Sequence, residues 1–185
     1  MLFGLVGSEM CIRDRARSIE ISENNYEEQL RSSIVKNIEL TNIGPSVMSG
    51  RVTDLEVNPN NPTEFYVAYA SGGLWHTKNN GTTFSPIMDN SMTQNIGDFA
   101  IDWKSNSIYV GTGESNSSRS SYPGIGILKS NDNGSTWTNI GLRDSHHISR
   151  VLVNPNNENH IVVAVIGHLY TCLLYTSPSP RDRTT

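Results

Sequence analysis

The chain has 185 residues, a formal net charge of −4 at pH 7 and 17% charged residues. No basic patch indicates nucleic-acid binding, and no apolar run is long enough to span a bilayer. The length suits one ordinary domain.

The two ends of the chain read as translated sequencing adaptors. Residues 172–182 are CLLYTSPSPRD, and one DNA sequence encoding them has a reverse complement that, read from its third base, gives LVGSEMCIRD. That peptide is residues 5–14 of the same chain. We therefore expect residues 1–15 and 171–185 to be adaptor sequence, with the authentic segment cut at both ends. Both cysteines lie in these ends, so they do not indicate a redox compartment.

A lead-in and an isolated strand follow the first adaptor. In the lead-in, residues 16–36, the stretch NYEEQLRSSIVK at 25–36 has helical periodicity and indicates a short helix. Residues 37–44 end in TNIG, which recurs at 138–141. We expect 37–44 to be the fourth strand of a repeat unit whose first three strands are absent from this chain.

A repeat organises the rest of the chain. GRVTDLEVNPNNP at 50–62 and SRVLVNPNNENH at 149–160 share one layout, and their NPNN turns are 96 residues apart, or two units of 48. GDFAIDWKSNSIYVGTGE at 97–114 has the same layout without the Asn-Pro turn. The boundaries of the units are predicted at 45–90, 91–142 and 143–170.

Each unit divides into four short strands, the last unit being cut after its second. The predicted strands are Val52–Val57, Phe65–Ala70, Leu74–Thr77, Thr83–Ile87, Phe99–Trp103, Ser107–Thr112, Gly126–Lys129, Thr136–Ile140, Val151–Val153 and Ile161–Ile166. Four-stranded units with a period of about 40–50 residues are typical of β-propeller blades. We predict an all-β fold, a β-propeller fragment of about two and a half four-stranded blades plus a stray closing strand.

A turn motif joins the third and fourth predicted strands of each complete unit. It reads TKNNGTTF at 77–84 and SNDNGSTW at 130–137, a pattern of Ser/Thr-x-Asp/Asn-x-Gly-x-Thr-aromatic. We expect Asp132 to accept backbone N–H bonds, Gly134 to adopt positive φ and Trp137 to pack between blades. The motif positions are Thr77, Asn79, Gly81, Thr83, Phe84, Ser130, Asp132, Gly134, Thr136 and Trp137.

Two chemical readings of the motif are alternatives to this architectural one. A calcium loop needs six to eight oxygen ligands and a bidentate Glu, and none follows at that spacing. Asn80-Gly81-Thr82 and Asn133-Gly134-Ser135 are glycan acceptor sequences, but both arise from the Asn and Gly of the turn itself. The structural turn is the preferred interpretation, and no metal or cofactor is predicted.

The motif resembles the Asp-box, the bacterial neuraminidase repeat of sialidases, xyloglucan-active endoglucanases and sortilin-type receptors. Its wider context, IGPSVMSGRV, YASGGLWHTKNNGTTF, IGDFAID, GTGE and DSHHISRV, is similar to bacterial propellers classed with the sortilin N-terminal domain and often labelled glycosyl hydrolases. The resemblance covers nearly all of residues 40–170. It implies a propeller fold and an extracytoplasmic location.

The loops opposite the turn motif are the expected binding elements, because loops on a rigid scaffold commonly carry function. In a propeller they surround the central channel. The longest, ESNSSRSSYPG at 114–124, suits a sugar or peptide surface, with a solvent-exposed loop as the alternative. The predicted ligand-binding residues are Arg51, Ser71, Asp98, Glu114, Tyr122, His146, His147, Arg150 and His168.

Three charged residues invite a more specific prediction. Arg51, Asp98 and Arg150 are expected at equivalent positions, where they bind a charged ligand or form a ring of inter-blade ion pairs. The ring is preferred, and it predicts an Arg51–Asp98 salt bridge. His146 and His147 are expected as loop histidines first and ligand contacts second, since neighbours on a strand point to opposite faces and chelate a metal poorly.

Three functions fit these observations. The preferred one is a non-catalytic propeller that binds protein, peptide or glycan through its channel-side loops. The alternative is a glycoside hydrolase, which needs two carboxylates about 5–9.5 Å apart, with Asp54 and Glu114 as weak candidates. The resemblance to xyloglucan-active enzymes implies a catalytic Asp before the Gly-Gly of the first blade, where this chain has Ala70. An assembly chaperone is a third option.

Overall fold

The computed structural model describes residues 21–22, 24–38, 50–116 and 121–167. Contacts divide the chain into two units, Met1–Val47 and Met48–Thr185. In the first unit, residues 24–32 are helical and turns follow at 34–37. Most of the predicted closing strand at 37–44 lies outside the described residues. Within the described part of the chain, no helix has the length and apolar character needed to cross a membrane.

The described residues of the second unit form ten antiparallel strands. They are β1 (Val52–Val57), β2 (Phe65–Tyr69), β3 (Gly73–Thr77), β4 (Ser85–Pro86), β5 (Ile96–Asp102), β6 (Ser107–Thr112), β7 (Ile127–Ser130), β8 (Thr138–Gly141), β9 (Ile148–Asn154) and β10 (Asn157–Val165). A short 3₁₀ helix, Arg143–Ser145, precedes β9.

The strands form three sheets in chain order. β1 to β4 make one four-stranded sheet, β5 to β8 make a second, and β9 pairs with β10 in a third. Every pair is antiparallel, so each sheet is a simple meander. Successive four-stranded meanders are propeller blades, and we call the three sheets blades 1, 2 and 3. The predicted fold class, an all-β propeller fragment, is confirmed.

The strand bounds differ from the predicted ones for two local reasons. β5 and β9 each begin three residues earlier than predicted, because a β-bulge near their start breaks the alternation of apolar and polar residues. β4 and β8 begin two residues later, because the turn motif uses the backbone N–H groups of Thr83 and Thr136. Those amides therefore do not join the strand ladder.

One cluster of the hydrophobic core lies between blades 2 and 3. Blade 2 contributes Ala100, Tyr109 and Ile127 to a cluster with Ile148 and Val151 of blade 3, and all five are buried. Burying a large aliphatic side chain of this kind stabilises a fold by about 1.5–3 kcal/mol. Since these contacts cross from sheet to sheet, the hydrophobic effect fixes the stacking of the blades as well as each blade.

Backbone hydrogen bonds repeat between the blades. The N–H of Ile96 donates to the carbonyl of Ala70 across 3.1 Å, and the N–H of Ile148 donates to Gly113 across 3.1 Å. Both bonds join the first residue of one blade's innermost strand to the residue just after the second strand of the preceding blade. The repeat in sequence is therefore a repeat in inter-blade geometry.

Candidate functional site

The turn motif at 130–137 is held by its own side chains. The Asp132 carboxylate accepts the Thr136 N–H at 2.9 Å, the Thr136 hydroxyl at 2.6 Å and the Ser130 hydroxyl at 2.8 Å. Ser130 Oγ in turn accepts the Gly134 N–H at 2.8 Å. Asn133 and Gly134 have φ of 56° and 87°. The predicted roles of Asp132 and Gly134 are confirmed.

The copy at 77–84 has the same network with an amide in place of the carboxylate. Asn79 Oδ1 accepts the Thr83 N–H at 2.9 Å, and Thr77 Oγ1 accepts the Gly81 N–H at 3.0 Å. The Asn79 Nδ2 group donates to Thr83 Oγ1 at 2.9 Å. The hydroxyl therefore accepts here, whereas the matching Thr136 hydroxyl donates to Asp132.

The two aromatic residues of the motif pack differently. Trp137 Nε1 donates to the carbonyl of Ile87 in blade 1 at 3.1 Å, so the predicted inter-blade packing of Trp137 is confirmed. Phe84 instead meets Phe65 of its own blade edge-on, with ring centroids 6.0 Å apart. These contacts give the motif an architectural role at one end of the sheets.

Three equivalent β-bulges lie at the opposite end. The pairing register shifts between Val52 and Asp54, between Ile96 and Asp98, and between Ile148 and Arg150, whose partners are Val165 and Ala164. In each blade one residue of the innermost strand is thus left out of the ladder. The bulge residues are Thr53, Gly97 and Ser149. Bulges are common beside functional sites because they redirect neighbouring side chains.

The register corrects one prediction. Arg51, Asp98 and Arg150 were expected at equivalent positions, but the residues that directly follow the bulges are Asp54, Asp98 and Arg150. Arg51 belongs to a second row, by which we mean a second set of equivalent positions in the three blades. Its carbonyl accepts from Ala70, as the carbonyl of Asn95 accepts from Gly113 and that of His147 from Ile166. The equivalents of Arg51 are therefore Asn95 and His147, three positions before the other row.

The bulges form the floor of an open pocket of about 340 Å³. It is bordered by residues of all three blades and by the start of the β6–β7 loop. The lining residues are Arg51, Val52, Thr53, Gly97, Asp98, Glu114, Ser115, Asn116, Ser149 and Arg150. We call it the loop-face pocket. Its lining is almost entirely polar, and it combines carboxylate, guanidinium, amide and hydroxyl groups.

Asp98 is the most perturbed group in this pocket. Its side chain is 3% exposed, and its carboxylate accepts the Val151 N–H at 2.6 Å. Burial is the main cause that raises the pKa of Asp98 to about 7. The neighbouring carboxyl of Asp54, within hydrogen-bonding reach, also raises this pKa. Its effect is larger than the opposite effect of the partly exposed Arg150, which lies 3.5 Å away. Asp98 can therefore hold a proton close to neutral pH.

Ion pairs link the blades in an arrangement that was not predicted. Arg51 of blade 1 reaches Glu114, with Nε 2.9 Å and Nη2 2.5 Å from Oε1, and Nη2 2.5 Å from Oε2. The Glu114 side chain is only 6% exposed. The expected Arg51–Asp98 bridge is thus replaced by Arg51–Glu114 and Arg150–Asp98 pairs, because Arg51 precedes the bulge and Asp98 follows it.

The β6–β7 loop is tied down by the row that contains Arg51. Asn95 Nδ2 donates to the carbonyl of Pro123 at 3.3 Å. Nδ1 of His147 lies 2.7 Å from the carbonyl of Glu114, which can only accept, so that nitrogen carries the proton. One position in three successive blades therefore anchors both ends of this loop. Residues 117–120, in its middle, are outside the described part of the chain.

The other predicted binding residues lie outside the pocket lining. Ser71 and Tyr122 are exposed, Tyr122 by 53%. His146 and His147, expected as loop histidines first and ligand contacts second, lie in the loop between the 3₁₀ helix and β9, and each is only 4% exposed. His146 follows the 3₁₀ helix directly, with φ of 55°. His168 is outside the described residues. Among the residues that the structure describes, no cluster of metal-ligating side chains is present.

Five polar residues of the site were not predicted individually, although Ser115 and Asn116 belong to the loop at 114–124 that was expected to bind a ligand. The five are Thr53, Asn95, Ser115, Asn116 and Ser149. A signal for the bulges does exist in the sequence as an apolar–small–charged triplet, Val52-Thr53-Asp54, Ile96-Gly97-Asp98 and Ile148-Ser149-Arg150. Aligning the three blades on that triplet makes Asp54, Asp98 and Arg150 equivalent, as they are in the structure.

Comparison with solved structures finds GH74 enzymes, at low structural similarity. The chain is 26% identical to the Niastella koreensis GH74 enzyme (TM-score 0.47, 60% of this chain, 16% of that one). It is 18% identical to an ancestral GH74 enzyme (TM-score 0.49, 64% and 16%). It is 16% identical to the GH74 xyloglucanase from Xanthomonas campestris (TM-score 0.39, 52% and 16%). The chain thus spans 16% of the length of each neighbour. No protein-family model and no curated protein matches it.

Proposed function

We propose that this chain is part of an extracytoplasmic propeller that binds a glycan at the loop-face pocket without cleaving it. The observation that carries this proposal is the composition of the pocket, where bulge residues of three blades surround a polar depression of about 340 Å³. A surface with closely spaced donors and acceptors matches the hydroxyl groups of a sugar. A peptide would need apolar pockets or a free strand edge, which makes it the competing ligand.

The absence of cleavage is inferred from how the carboxylates are engaged. Both oxygens of Glu114 contact the Arg51 guanidinium, and Asp98 accepts the Val151 N–H. Asp54 lies against Asp98 rather than across the pocket from it. A glycosidase needs its acid and its base or nucleophile to face a sugar from two sides, about 5–9.5 Å apart. Neither weak candidate for catalysis, Asp54 or Glu114, faces the pocket in the way that this mechanism requires.

One observation favours a glycoside hydrolase as the second candidate. Asp98 has a pKa raised to about 7, and a carboxylic acid that keeps its proton near neutrality is what a general acid requires. This role needs a second carboxylate that faces Asp98 across the bound sugar. In the second candidate, a part of the protein beyond these blades supplies that carboxylate.

Glycan binding is tested by screening the chain on a glycan array and measuring affinity for the best glycan. Asn116 is exposed at the pocket rim, so N116A removes a hydrogen-bonding amide without disturbing the core. We expect N116A to weaken binding by about 3- to 10-fold, the loss of one hydrogen bond. Asn60, in the exposed β1–β2 turn, provides the matched N60A control, which should bind as the unmodified chain does.

The two candidate functions are separated with the longer protein that contains these blades, because the second candidate needs a carboxylate from beyond them. Incubation of that protein with the bound glycan should release no reducing sugar above background. Release of oligosaccharide, lost in D98N, would replace the binding proposal with the hydrolase. Equal affinity of N116A and N60A would remove the loop-face pocket as the binding site.

A further inference from the structure

A second cavity lies between blades 1 and 2, at the end of the sheets that carries the turn motif. It measures about 230 Å³ and has aromatic walls with a polar rim. Its lining residues are Glu64, Tyr66, His76, Lys78, Ile101, Trp103, Asn106, Ile108 and Asn133. We call it the turn-face cavity. It shares no residue with the loop-face pocket.

The walls of this cavity are a packed aromatic group. The Tyr66 and His76 rings stack with centroids 4.0 Å apart and an interplanar angle of 3°. Trp103 of blade 2 meets Tyr66 at 5.7 Å and 57°. An aromatic face of this kind packs against the C–H face of a pyranose ring, which is flat and only weakly polar. The stacking also holds the rings in fixed orientations before any ligand arrives.

Two polar groups on the aromatic walls of the cavity have no hydrogen-bond partner in the described part of the chain. Trp75 and Trp137 donate their indole N–H groups to carbonyls at 2.7 and 3.1 Å. In residues 50–116 and 121–167, the indole N–H of Trp103 has no hydrogen-bond partner, and neither has the Tyr66 hydroxyl, although Tyr66 is only 3% exposed. Among the described residues, only the Ser145 hydroxyl is a buried side-chain polar atom without a partner, so the Tyr66 hydroxyl and the Trp103 indole N–H are open to the cavity. Both groups are therefore available to a ligand.

The rim adds further donors and acceptors of the same kind. Across the described part of the second unit, the Lys78 ammonium and the side-chain amides of Asn106 and Asn133 have no hydrogen-bond partner either. Asn106 and Asn133 both have φ of 56°, a conformation that Asn tolerates better than most residues. Each lies in a tight turn of blade 2, so backbone geometry sets where the two amides stand.

The charge balance of the cavity favours a neutral ligand. The Glu64 carboxylate is paired with His76 Nε2 at 3.0 Å and with Asn58 Nδ2 at 2.9 Å. Burial lowers the pKa of His76, so that ring is neutral near pH 7. Lys78 contributes one positive charge beside the negative charge of Glu64. The two cancel, and the cavity presents hydrogen-bonding groups with little net charge.

We propose that the turn-face cavity binds one neutral sugar ring, packed against Trp103 and hydrogen-bonded by the free groups of Tyr66, Trp103 and the rim. A volume of about 230 Å³ is below the roughly 300–1,000 Å³ of sites for drug-sized ligands, which fits a single ring. This site is separate from the proposed glycan site at the other end of the sheets.

The proposal is tested by titrating the ¹⁵N-labelled chain with methyl glycosides of glucose, galactose and xylose, and following the indole N–H resonances. The Trp103 resonance should shift saturably for at least one of them, while those of Trp75 and Trp137 stay in place. Methyl glucuronide, which is anionic, should bind more weakly. No saturable shift at Trp103, or tighter binding of the glucuronide, would overturn the proposal.

Isosteric variants separate binding from folding. Because the Tyr66 hydroxyl has no partner, Y66F should leave the spectrum of the free chain unchanged but weaken sugar binding by about 3- to 10-fold. K78M should weaken it as well without touching the packed walls. Y122F, which removes a hydroxyl on the loop face, is the matched control and should have no effect. Undiminished affinity in both Y66F and K78M would overturn the proposal, whatever N116A does at the other pocket.

Discussion

Asp98 shows how a single residue can carry both architecture and pH dependence. Its carboxylate bonds the Val151 N–H of the next blade while burial and Asp54 oppose its ionisation. The folded-state pKa of about 7 lies above the unfolded value of about 3.9. At pH values between these two, the folded chain keeps a proton on Asp98 that the unfolded chain has lost. This contribution to stability is complete below about pH 4 and disappears as pH rises through 7.

We therefore expect the free energy of unfolding to fall between pH 5 and 7 because of Asp98. In D98N the amide oxygen can still accept the Val151 N–H, but no proton is exchanged. The unmodified chain should lose on the order of 2 kcal/mol more than D98N over this interval. Urea unfolding at pH 5, 6 and 7 measures the difference. Parallel pH profiles for the two proteins would show that Asp98 ionises normally.

The two turn motifs make a matched pair for a second prediction at this scale. Hydrogen bonds from Thr136 and Ser130 lower the pKa of Asp132 to about 2, below its unfolded value. Its stabilising contribution is therefore present above about pH 4 and is lost as pH falls towards 2. Asn79 holds the same turn in blade 1 without a titrating group.

D132N should consequently keep the turn and remove its acid sensitivity. Thermal unfolding at pH 2.5 and 5 should show a smaller difference in Tm for D132N than for the unmodified chain. D132A, which cannot accept any of these bonds, should lower Tm at both pH values. The amide of Asn79 accepts the matching backbone N–H in blade 1, so an amide at position 132 should hold the turn as well. The prediction is wrong if D132N and D132A are equally destabilised at pH 5.

At the scale of elements, the sequence is informative about strands and much less so about loops. All ten predicted strands exist, and β1 and β6 have the predicted bounds, because alternation and turn residues are local properties. The bulges were missed because an extra residue shifts the period without changing composition. Without the bulges, the alignment of the blades matched Arg51 to Asp98 and Arg150, and it left Thr53 and Ser149 out of the site. Contacts such as Arg51–Glu114 join residues 63 apart and depend on blade stacking.

The anchoring of the β6–β7 loop gives a prediction at this scale. Replacing Arg51 by Met leaves the buried Glu114 carboxylate without its guanidinium partner, which is costly because a buried charge needs a counter-charge. Amide hydrogen exchange in residues 115–116 and 121–125 should become faster in R51M, while exchange in the turn motif at 130–137 stays the same.

The control for this experiment is R31M. Arg31 forms an exposed i,i+4 pair with Glu27 at 3.7 Å, and such pairs contribute little. R31M should leave exchange in the β6–β7 loop unchanged. If R51M also leaves it unchanged, the Arg51–Glu114 pair does not order the loop.

At the scale of the whole second unit, stability depends on how closely the blades approach. A Cβ added to Gly111 of β6 would lie 2.5 Å from Ile148 Cγ2 and 2.7 Å from Val151 Cγ2. The stacking of blade 3 on blade 2 therefore requires glycine at this position for steric reasons.

G111A should destabilise the chain by about 1–3 kcal/mol through overpacking. Slow-exchanging amides of β9 should lose more protection than those of β2, since the clash lies between blades 2 and 3. T138A, an exposed change on β8 of the same sheet, should have a small effect on both. Equal loss of protection in β2 and β9 would mean that the unit unfolds without regard to blade boundaries.

The measurement that most directly tests glycan binding at the loop face is a ¹H–¹⁵N titration of the chain with the best glycan of the array. We expect saturable shifts that cluster at residues 51–53, 97–98, 114–116 and 149–150, with the glycan recovered intact. Shifts that cluster elsewhere, or cleavage of the glycan during the titration, would contradict it.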